Sequence, residues 1–239
     1  MRKIIYNFTL PTPSITLCSY ADFSLVEPHG EEGCIVVLAP SVTKDYYLSS
    51  IRDGVARKPM YLDIWCAGHY LHSICGLPYS TMEFDTPHGL ITAEFFDTGD
   101  GQTGILMNKC KQTVTKSVEL FGSASATVST VLYSGSLYRL LHTKRAELAS
   151  PSVLRQMRIL PDLPDCFGAI ALSSAEAVGT EEIDPLVGAA IIASYRLASR
   201  CEKNVTEVSY CGSTFRAMPN VQDSICIRPL GFHCTRVVE

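Results

Sequence analysis

The hydrophobic pattern in the first third of the chain predicts two strands and a helix. Residues 33–39 form a continuous apolar run of strand length, which is typical of a strand buried on both faces. Residues 61–66 form a second short run and predict another strand. Residues 67–75 carry apolar side chains at helical spacing, so we expect a short helix entered through Gly68. Gly76 is placed to end this helix in the left-handed conformation.

The next segment changes from helical to strand periodicity. Apolar and polar residues alternate over 82–86, a turn signal follows at His88 and Gly89, and residues 90–96 return as a second strand. A further strand is expected at 104–108, after a polar turn. The pattern therefore predicts a helix, a hairpin and a strand, in that order.

The second half of the chain repeats this order. Asp184 can cap a helix through its carboxylate and Pro185 suits the first helical position. Residues 186–197 are apolar on nearly all sides, which predicts a buried helix. Strands are expected after this helix at residues 207–210, 214–218 and 224–228. Between the two halves, residues 167–172 predict a strand, whereas 137–142 and 152–159 are compatible with either helix or strand.

The repeated order of elements predicts an α+β protein. Two similar units in one chain favour two pseudo-symmetric lobes that face each other across a cleft. We expect the first lobe at residues 1–118, completed by residues 229–239, and the second lobe at residues 119–228.

Composition and charge narrow the function classes. The chain has 239 residues, of which 46% are hydrophobic and 18% charged, so a compact fold with a substantial core is expected. The net charge is −4 and basic residues form no run, which argues against a nucleic-acid partner. No apolar run approaches the roughly 20 residues of a membrane span. These features favour a soluble, cytoplasmic protein without membrane contact.

Ten cysteines are spread singly along the chain, without a C-x-x-C pair. Free buried thiols are the main interpretation. Secretion with disulfides is the alternative, and only in that case would the sequons at Asn7 and Asn204 matter. The histidines show no shared metal-ligand spacing, and no phosphate loop, dinucleotide fingerprint or nucleophile elbow occurs. We therefore expect neither a metal nor a cofactor.

Several short motifs in order resemble the proline racemase family. They are Gly68-His69 and residues 25–30, 84–93, 212–215 and 229–232. This family lies in the diaminopimelate epimerase-like superfamily, which also includes the phenazine-biosynthesis isomerases. The resemblance implies two lobes, each an antiparallel sheet or partial barrel around a central helix, with a small carboxylic acid bound between them. It also implies that a homodimer is possible.

The resemblance further implies proton transfer at the substrate α-carbon by two groups on opposite faces. The N-termini of two buried helices would hold the substrate carboxylate without a metal. In proline racemases a cysteine precedes the Gly-His pair, but here that position is Ala67, and Cys66 lies one residue earlier. The second cysteine also has no counterpart, and we expect the N-terminus to be too short for the opening strand of the family. The Asp184-Pro185-x-x-Gly188 segment instead resembles the phenazine-type isomerases, in which the Asp shuttles the proton.

Three residues are the catalytic candidates. Asp184 is the proposed acid/base, with a helix cap as the structural alternative. His69 is a second acid/base or hydrogen-bonding group, with a satisfied histidine as the alternative. Cys66 is a base only if the adjoining helix N-terminus lowers its pKa, and otherwise a buried thiol. The candidates for substrate binding lie around these residues: Ala67, Gly68, Tyr70, Pro185, Gly188, Ala189, Gly212 and Ser213. Turn and packing roles explain the glycines equally well.

The sequence therefore predicts a cofactor-independent, isomerase-like enzyme of secondary metabolism. Its reaction would be racemisation, epimerisation, dehydration or rearrangement of a small organic acid or a natural-product intermediate. The alternative is a divergent relative without acid/base catalysis, which would be a binding protein or a cyclase that acts by shape.

Overall fold

The computed structural model describes residues 4–9, 16–17, 26–29, 33–37, 61–69, 72–73, 76, 80–86, 89–120, 124–143, 146–160, 163–173, 177–180, 182–200, 205–220 and 223–238. Strands dominate the described residues. The strands are β1 (Ile4–Thr9), β2 (Thr16–Leu17), β3 (Val26–His29), β4 (Gly33–Val37), β5 (Thr81–Thr86), β6 (Gly89–Asp97), β7 (Thr103–Asn108), β8 (Lys111–Leu120), β9 (Ala124–Tyr133), β10 (Ser136–His142), β11 (Gly168–Leu172), β12 (Ala177–Gly179), β13 (Thr206–Tyr210), β14 (Ser213–Pro219), β15 (Ser224–Pro229) and β16 (His233–Val238). The helices are α1 (Tyr61–His69), α2 (Pro151–Met157) and α3 (Pro185–Arg200), with a 3₁₀ turn at Ala146–Ala149.

The chain divides into two compact units. The first contains Met1–Leu106 and Cys226–Glu239, and the second contains Met107–Ile225. The lobes expected from the sequence were 1–118 with 229–239, and 119–228. No helix in the described part of the chain is long and apolar enough to cross a lipid bilayer.

The first unit contains two sheets. One has the strand order β16-β1-β2 and is antiparallel. The expectation that the N-terminus lacks an opening strand was therefore wrong, because residues 4–9 pair with the C-terminal strand. The other sheet has the order β3-β4-β5-β6-β7, and all its pairs are antiparallel except β4 with β5.

The second unit has the strand order β14-β13-β12-β11-β10-β9-β8. Its parallel neighbours are β10 with β11 and β12 with β13. Below α2, the core is made of apolar side chains that are nearly inaccessible to solvent, including Val128, Leu141, Leu154 and Met157. Residues 185–194 of α3 are all buried, as the apolar character of this helix predicted.

The parallel pairs are an addition to the expected arrangement, which was an antiparallel sheet or partial barrel around a helix in each lobe. Helix α1 lies in the connection from β4 to β5, α2 in that from β10 to β11, and α3 in that from β12 to β13. A hairpin cannot join parallel neighbours, so each pair needs a crossover long enough to carry a helix. The helices of both units are thus crossover elements.

The predicted hairpin and strand pattern is confirmed in both units. Strands β5 and β6 pair antiparallel, β7 follows, and β13 and β14 form the later hairpin, with β15 after it. The two ambiguous segments are now assigned, since residues 136–142 form a strand and residues 151–157 a helix. The long hairpin of β8 and β9 was missed.

The first helix was placed wrongly. Residues 61–66, expected as a strand, begin α1, and Gly68 and His69 lie in its last turn rather than at its start. A short apolar run does not distinguish a strand from a buried helix by itself. The spacing of the buried residues Leu62, Trp65 and His69 is that of one helix face. Gly76 has the predicted left-handed conformation, with a φ of 70°.

Candidate functional site

Asp184 caps the N-terminus of α3. Its side chain is half-buried, and its Oδ1 accepts hydrogen bonds from the backbone N–H groups of Leu186 at 2.7 Å and Val187 at 3.2 Å. The N–H of Gly188 donates to the backbone carbonyl of Asp184 at 2.8 Å. Pro185, the first helical residue, has no N–H to satisfy. The cap predicted from the sequence is therefore present, and the first-turn amides expected to hold a substrate carboxylate already have an acceptor.

Gly188 makes room for an aromatic ring. A Cβ atom at this position would lie 2.4 Å from Cε1 and Cζ of Tyr210, far inside van der Waals contact. A Cβ at Gly179 would lie 1.8 Å from the hydroxyl oxygen of the same tyrosine. The ring of Tyr210 is thus held between the backbone of β12 and the first turn of α3. Its packing explains why position 188 of the Asp-Pro-x-x-Gly segment needs a glycine.

Tyr210 lies fully buried beside the Asp184 cap. Burial, followed by the neighbouring Cys211 and Asp184, holds the pKa of its phenol well above 10. The phenol is therefore neutral at physiological pH. Sequence reasoning did not single out this residue, although a tyrosine directly before a turn and 22 positions after a helix glycine was visible in the sequence.

The other substrate-binding candidates of the second unit have structural roles. Pro185 and Ala189 are buried in the first turns of α3. Gly212 has a φ of 76° and, together with Cys211, makes the tight turn between β13 and β14. Ser213 is buried at the first position of β14. These positions surround the Asp184 cap mainly with apolar surface.

In the first unit, Gly68 lets α1 pack closely on a strand. A Cβ at Gly68 would lie 2.0 Å from two ring atoms of Phe95, which is buried in β6. Gly68 and Gly188 therefore have the same structural role, because each allows an aromatic ring of a strand to lie against a helix backbone.

His69 is enclosed by aromatic rings. It stacks on Trp65 with ring centroids 5.1 Å apart and planes 10° from parallel, and it meets the edge of Phe232 at 5.1 Å. The indole Nε1 of Trp65 donates a hydrogen bond to the carbonyl of Thr103 at 2.7 Å, which fixes the stack. Only 5% of the His69 surface is exposed.

The charge state of His69 follows from this enclosure. Burial, and then the positive charge of Arg228, lower the pKa of His69 from 6.5 to about 4. Arg228 is itself buried and pairs with the Asp100 carboxylate. The imidazole is therefore neutral near pH 7, where it can donate or accept a hydrogen bond but lacks the acidic proton of an imidazolium. The expectation that it titrates near neutrality is wrong for this environment.

The structure does not describe the side chains of the remaining first-unit candidates. Tyr70 is not among the described residues, and the side chains of Cys66 and Ala67 are likewise outside them. The expected position of Cys66 beside a helix N-terminus was wrong, because it lies within α1, five residues after the first helical residue. The proposed roles of Ala67 and Tyr70 remain predictions. His69 belongs to the first unit and Asp184 to the second. Among the described residues, no group of three or more His, Cys, Asp and Glu side chains is arranged to hold a metal ion.

Four cysteines whose side chains are described are free thiols, as expected from their scattered positions. Cys166 and Cys226 are buried, Cys110 is half-buried and Cys211 is exposed. Burial raises the pKa of Cys110 and of Cys226 to about 11. These two thiols are protonated at neutral pH and are therefore weak nucleophiles.

Comparison with solved structures identifies the fold. The chain is similar to a phenazine biosynthesis protein of the PhzC/PhzF type from Clostridium difficile strain 630, with a TM-score of 0.54 and 9% identity over 100% of this chain and 97% of that one. It also matches a PhzF-family phenazine biosynthesis protein from Enterococcus faecalis, with a TM-score of 0.48 and 10% identity over 98% of this chain and 99% of that one. No protein-family model and no curated protein matches the sequence.

The chain therefore has a mixed α/β fold of the PhzF type. The diaminopimelate epimerase-like superfamily that the sequence motifs indicate stays a prediction. The narrower resemblance to proline racemases remains a prediction. At 9% identity the match defines the architecture, and the chemistry has to be argued from the residues themselves.

Proposed function

We propose that this protein is a cofactor-independent, isomerase-like enzyme that moves a proton on a small organic acid, with Asp184 as the acid/base. One observation carries the proposal: Asp184 presents a half-buried carboxylate that is fixed by two backbone amides at the start of a buried helix. A carboxylate held in one orientation is suited to repeated proton transfer. The PhzF-type fold supports this choice of reaction class.

In the proposed mechanism, the two carboxylate oxygens of Asp184 have different roles. Both amide bonds go to Oδ1, which anchors the group. In the proposed step, Oδ2 accepts the proton from the substrate α-carbon, and the electron pair of the broken C–H bond moves into the substrate to give an enolate. The carboxylic acid so formed then returns its proton to the same or a neighbouring atom of the substrate. No atom or electron is left over, and no cofactor is required.

His69 has a narrower proposed role. A neutral imidazole with a lowered pKa is a poor general acid at pH 7, but it can hydrogen-bond a polar group of the substrate. We therefore assign it to positioning rather than to proton transfer. Ala67 and Tyr70, on either side of Gly68 and His69, remain proposed substrate-binding residues.

A second candidate function is favoured by the same cap. Because Asp184 already satisfies the first-turn amides of α3, its carboxylate has a complete structural role without any chemistry. The protein would then bind a small acid, or direct a cyclisation by shape, without proton transfer.

Exchange of the substrate proton distinguishes the two functions. Candidate 2-amino and 2-hydroxy acids are incubated with the protein in heavy water, and loss of the α-proton signal is followed by proton NMR. We expect the wild type to label at least one acid and Asp184→Asn to abolish the labelling. Asparagine caps a helix about as well as aspartate, so this variant removes the acid/base group and keeps the fold.

Two further variants control for indirect effects. Asp165→Asn removes an exposed carboxylate from the same unit and should label at the wild-type rate. Asp184→Ala should lose labelling and about 1 kcal/mol of stability, since it also removes the cap. Undiminished labelling by Asp184→Asn would exclude Asp184 as the acid/base, and the lack of any labelling by the wild type would favour the binding function.

A further inference from the structure

The second unit contains a cavity that is separate from the Asp184 cap. It has a volume of about 530 Å³ and lies between the C-terminal half of α3, the segment that leads into β8, and the turn after β14. Its lining residues are Lys109, Cys110, Lys111, Ser194, Leu197, Ala198, Pro219 and Asp223. Residues 194–198 lie 10 to 14 positions beyond Asp184, which is roughly 15–20 Å along the helix axis. The cavity therefore belongs to another part of the unit than the proposed proton-transfer group.

The walls of the cavity are fixed by hydrogen bonds. The N–H of Lys109 donates to the carbonyl of Asp223 at 2.7 Å and ties the two rims together. The thiol of Cys110 donates to the carbonyl of Ile191 at 3.5 Å, which holds this segment against α3. The buried hydroxyl of Ser194 donates to its own helix, to the carbonyl of Ala190 at 2.7 Å. Such a cavity exists before a ligand arrives, so binding requires little reorganisation.

The lining also has a definite chemistry. Leu197, Ala198 and Pro219 supply apolar surface, while two lysines and one aspartate supply the charge. The lysines outnumber the aspartate, so the cavity has a positive balance in a chain whose net charge is −4. Because burial raises the pKa of Cys110 to about 11, its thiol adds no negative charge at neutral pH.

From this geometry we propose that the cavity is a second ligand site, which takes a small organic anion with an apolar body. Its volume lies within the 300–1,000 Å³ range that is usual for small-molecule sites. The anionic group would lie between the Lys109 and Lys111 ammonium groups, and the apolar body would cover Leu197 and Ala198. This site is independent of the proposed function, because it contains none of the residues assigned to proton transfer.

The experiment compares two probes that share one apolar body. 4-Phenylbutyrate carries an anion and 4-phenylbutylamine carries a cation at the same position, and isothermal titration calorimetry gives the dissociation constant of each. We expect the acid to bind about tenfold more tightly than the amine, since each ammonium-to-carboxylate contact at a solvated rim changes affinity a few-fold.

Variants locate the binding. Ala198→Trp places a large side chain in the cavity at an exposed position and should abolish binding of the acid without unfolding the protein. The double variant Lys109→Ala, Lys111→Ala should raise the dissociation constant of 4-phenylbutyrate about three- to tenfold. Asp223→Asn should lower this dissociation constant. Lys116→Ala, an exposed lysine of β8 outside the cavity, is the matched control and should bind like the wild type.

Three results would overturn the proposal. Equal or tighter binding of the amine would show that Asp223 governs the cavity and that it takes cations. Unchanged binding of the acid by Ala198→Trp would place the ligand elsewhere. No heat of binding from either probe at millimolar concentration would show that the cavity takes neither class. Asp184→Asn should bind the acid normally, so failure of this site and failure of the proton-transfer proposal remain distinguishable.

Discussion

At the residue scale, the packing of Tyr210 depends on two glycines. The phenol oxygen lies against Gly179 of β12, whereas the ring edge lies against Gly188 of α3. The closest contact at Gly179 is therefore to one atom, the hydroxyl oxygen, and the closest contacts at Gly188 are to two ring carbons. This difference makes the two sites separable by mutation.

Replacing either glycine with alanine should destabilise the second unit by about 1–3 kcal/mol through overpacking. For Gly188 this reverses the usual gain of about 1 kcal/mol from alanine in a helix. Tyr210→Phe removes only the hydroxyl oxygen, so it should partly rescue Gly179→Ala and leave Gly188→Ala unrescued. Urea unfolding of the single and double variants measures both effects. Equal rescue at both sites would refute this arrangement of the ring.

At the element scale, a buried arginine holds the end of α2 in place. Arg139 of β10 is fully buried, and its guanidinium donates to the carbonyl of Met157, the last residue of α2, and to that of Pro164 at 2.6 Å. No carboxylate pairs with it in the described part of the chain. The carbonyls at a helix C-terminus carry partial negative charge, so they stabilise this cation. One side chain thus joins β10, α2 and the loop before β11.

Arg139→Lys should lower the free energy of unfolding by about 1–3 kcal/mol. A lysine ammonium group cannot reach both carbonyls as the guanidinium does, so one buried acceptor loses its hydrogen bond. The matched control is Arg158→Lys, whose ion pair with Glu182 at 2.9 Å is partly exposed on both sides. This control should change stability by less than about 1 kcal/mol. Urea unfolding compares the two variants, and a similar small loss for both would contradict the role assigned to Arg139.

At the scale of the whole molecule, stability should fall in acid because of His69. In the folded protein its pKa is about 4, against 6.5 in the unfolded chain, so between these values the unfolded chain binds more protons. Stability is therefore unaffected above pH 6.5 and decreases as the pH falls towards 4, by roughly 3 kcal/mol at most. The half-buried His142 in the second unit contributes in the same direction, since burial lowers its pKa too.

Trp65 is the only tryptophan of the sequence and stacks on His69, so its fluorescence reports on the first unit. When urea unfolding is followed by this fluorescence, the urea concentration at the midpoint should be lower at pH 4.5 than at pH 7.5. His69→Phe keeps an aromatic ring in the stack and removes the titrating group, so it should reduce this fall markedly. An undiminished fall in the variant would assign the acid sensitivity to other groups.

Much of the local structure was predictable from the sequence because its signals are local. Asp184 before Pro185 and an apolar run produced the predicted cap and buried helix, and alternating residues produced the β5–β6 and β13–β14 hairpins. The segment 61–66 was assigned wrongly, since an apolar run of that length suits a strand and a buried helix equally. The β8–β9 hairpin was missed because β8 carries many polar residues and lies mostly exposed, so it shows no apolar run.

The sequence by itself determined where the helix α3 is capped and where the β5–β6 and β13–β14 hairpins turn, because these features depend on neighbours a few residues apart. Only the tertiary structure decided that Gly68 and Gly188 accommodate Phe95 and Tyr210, that the helices connect parallel strands, and that His69 is neutral near pH 7. Each of these depends on burial and on contacts between residues far apart in the chain, and neither leaves a periodic trace in the sequence.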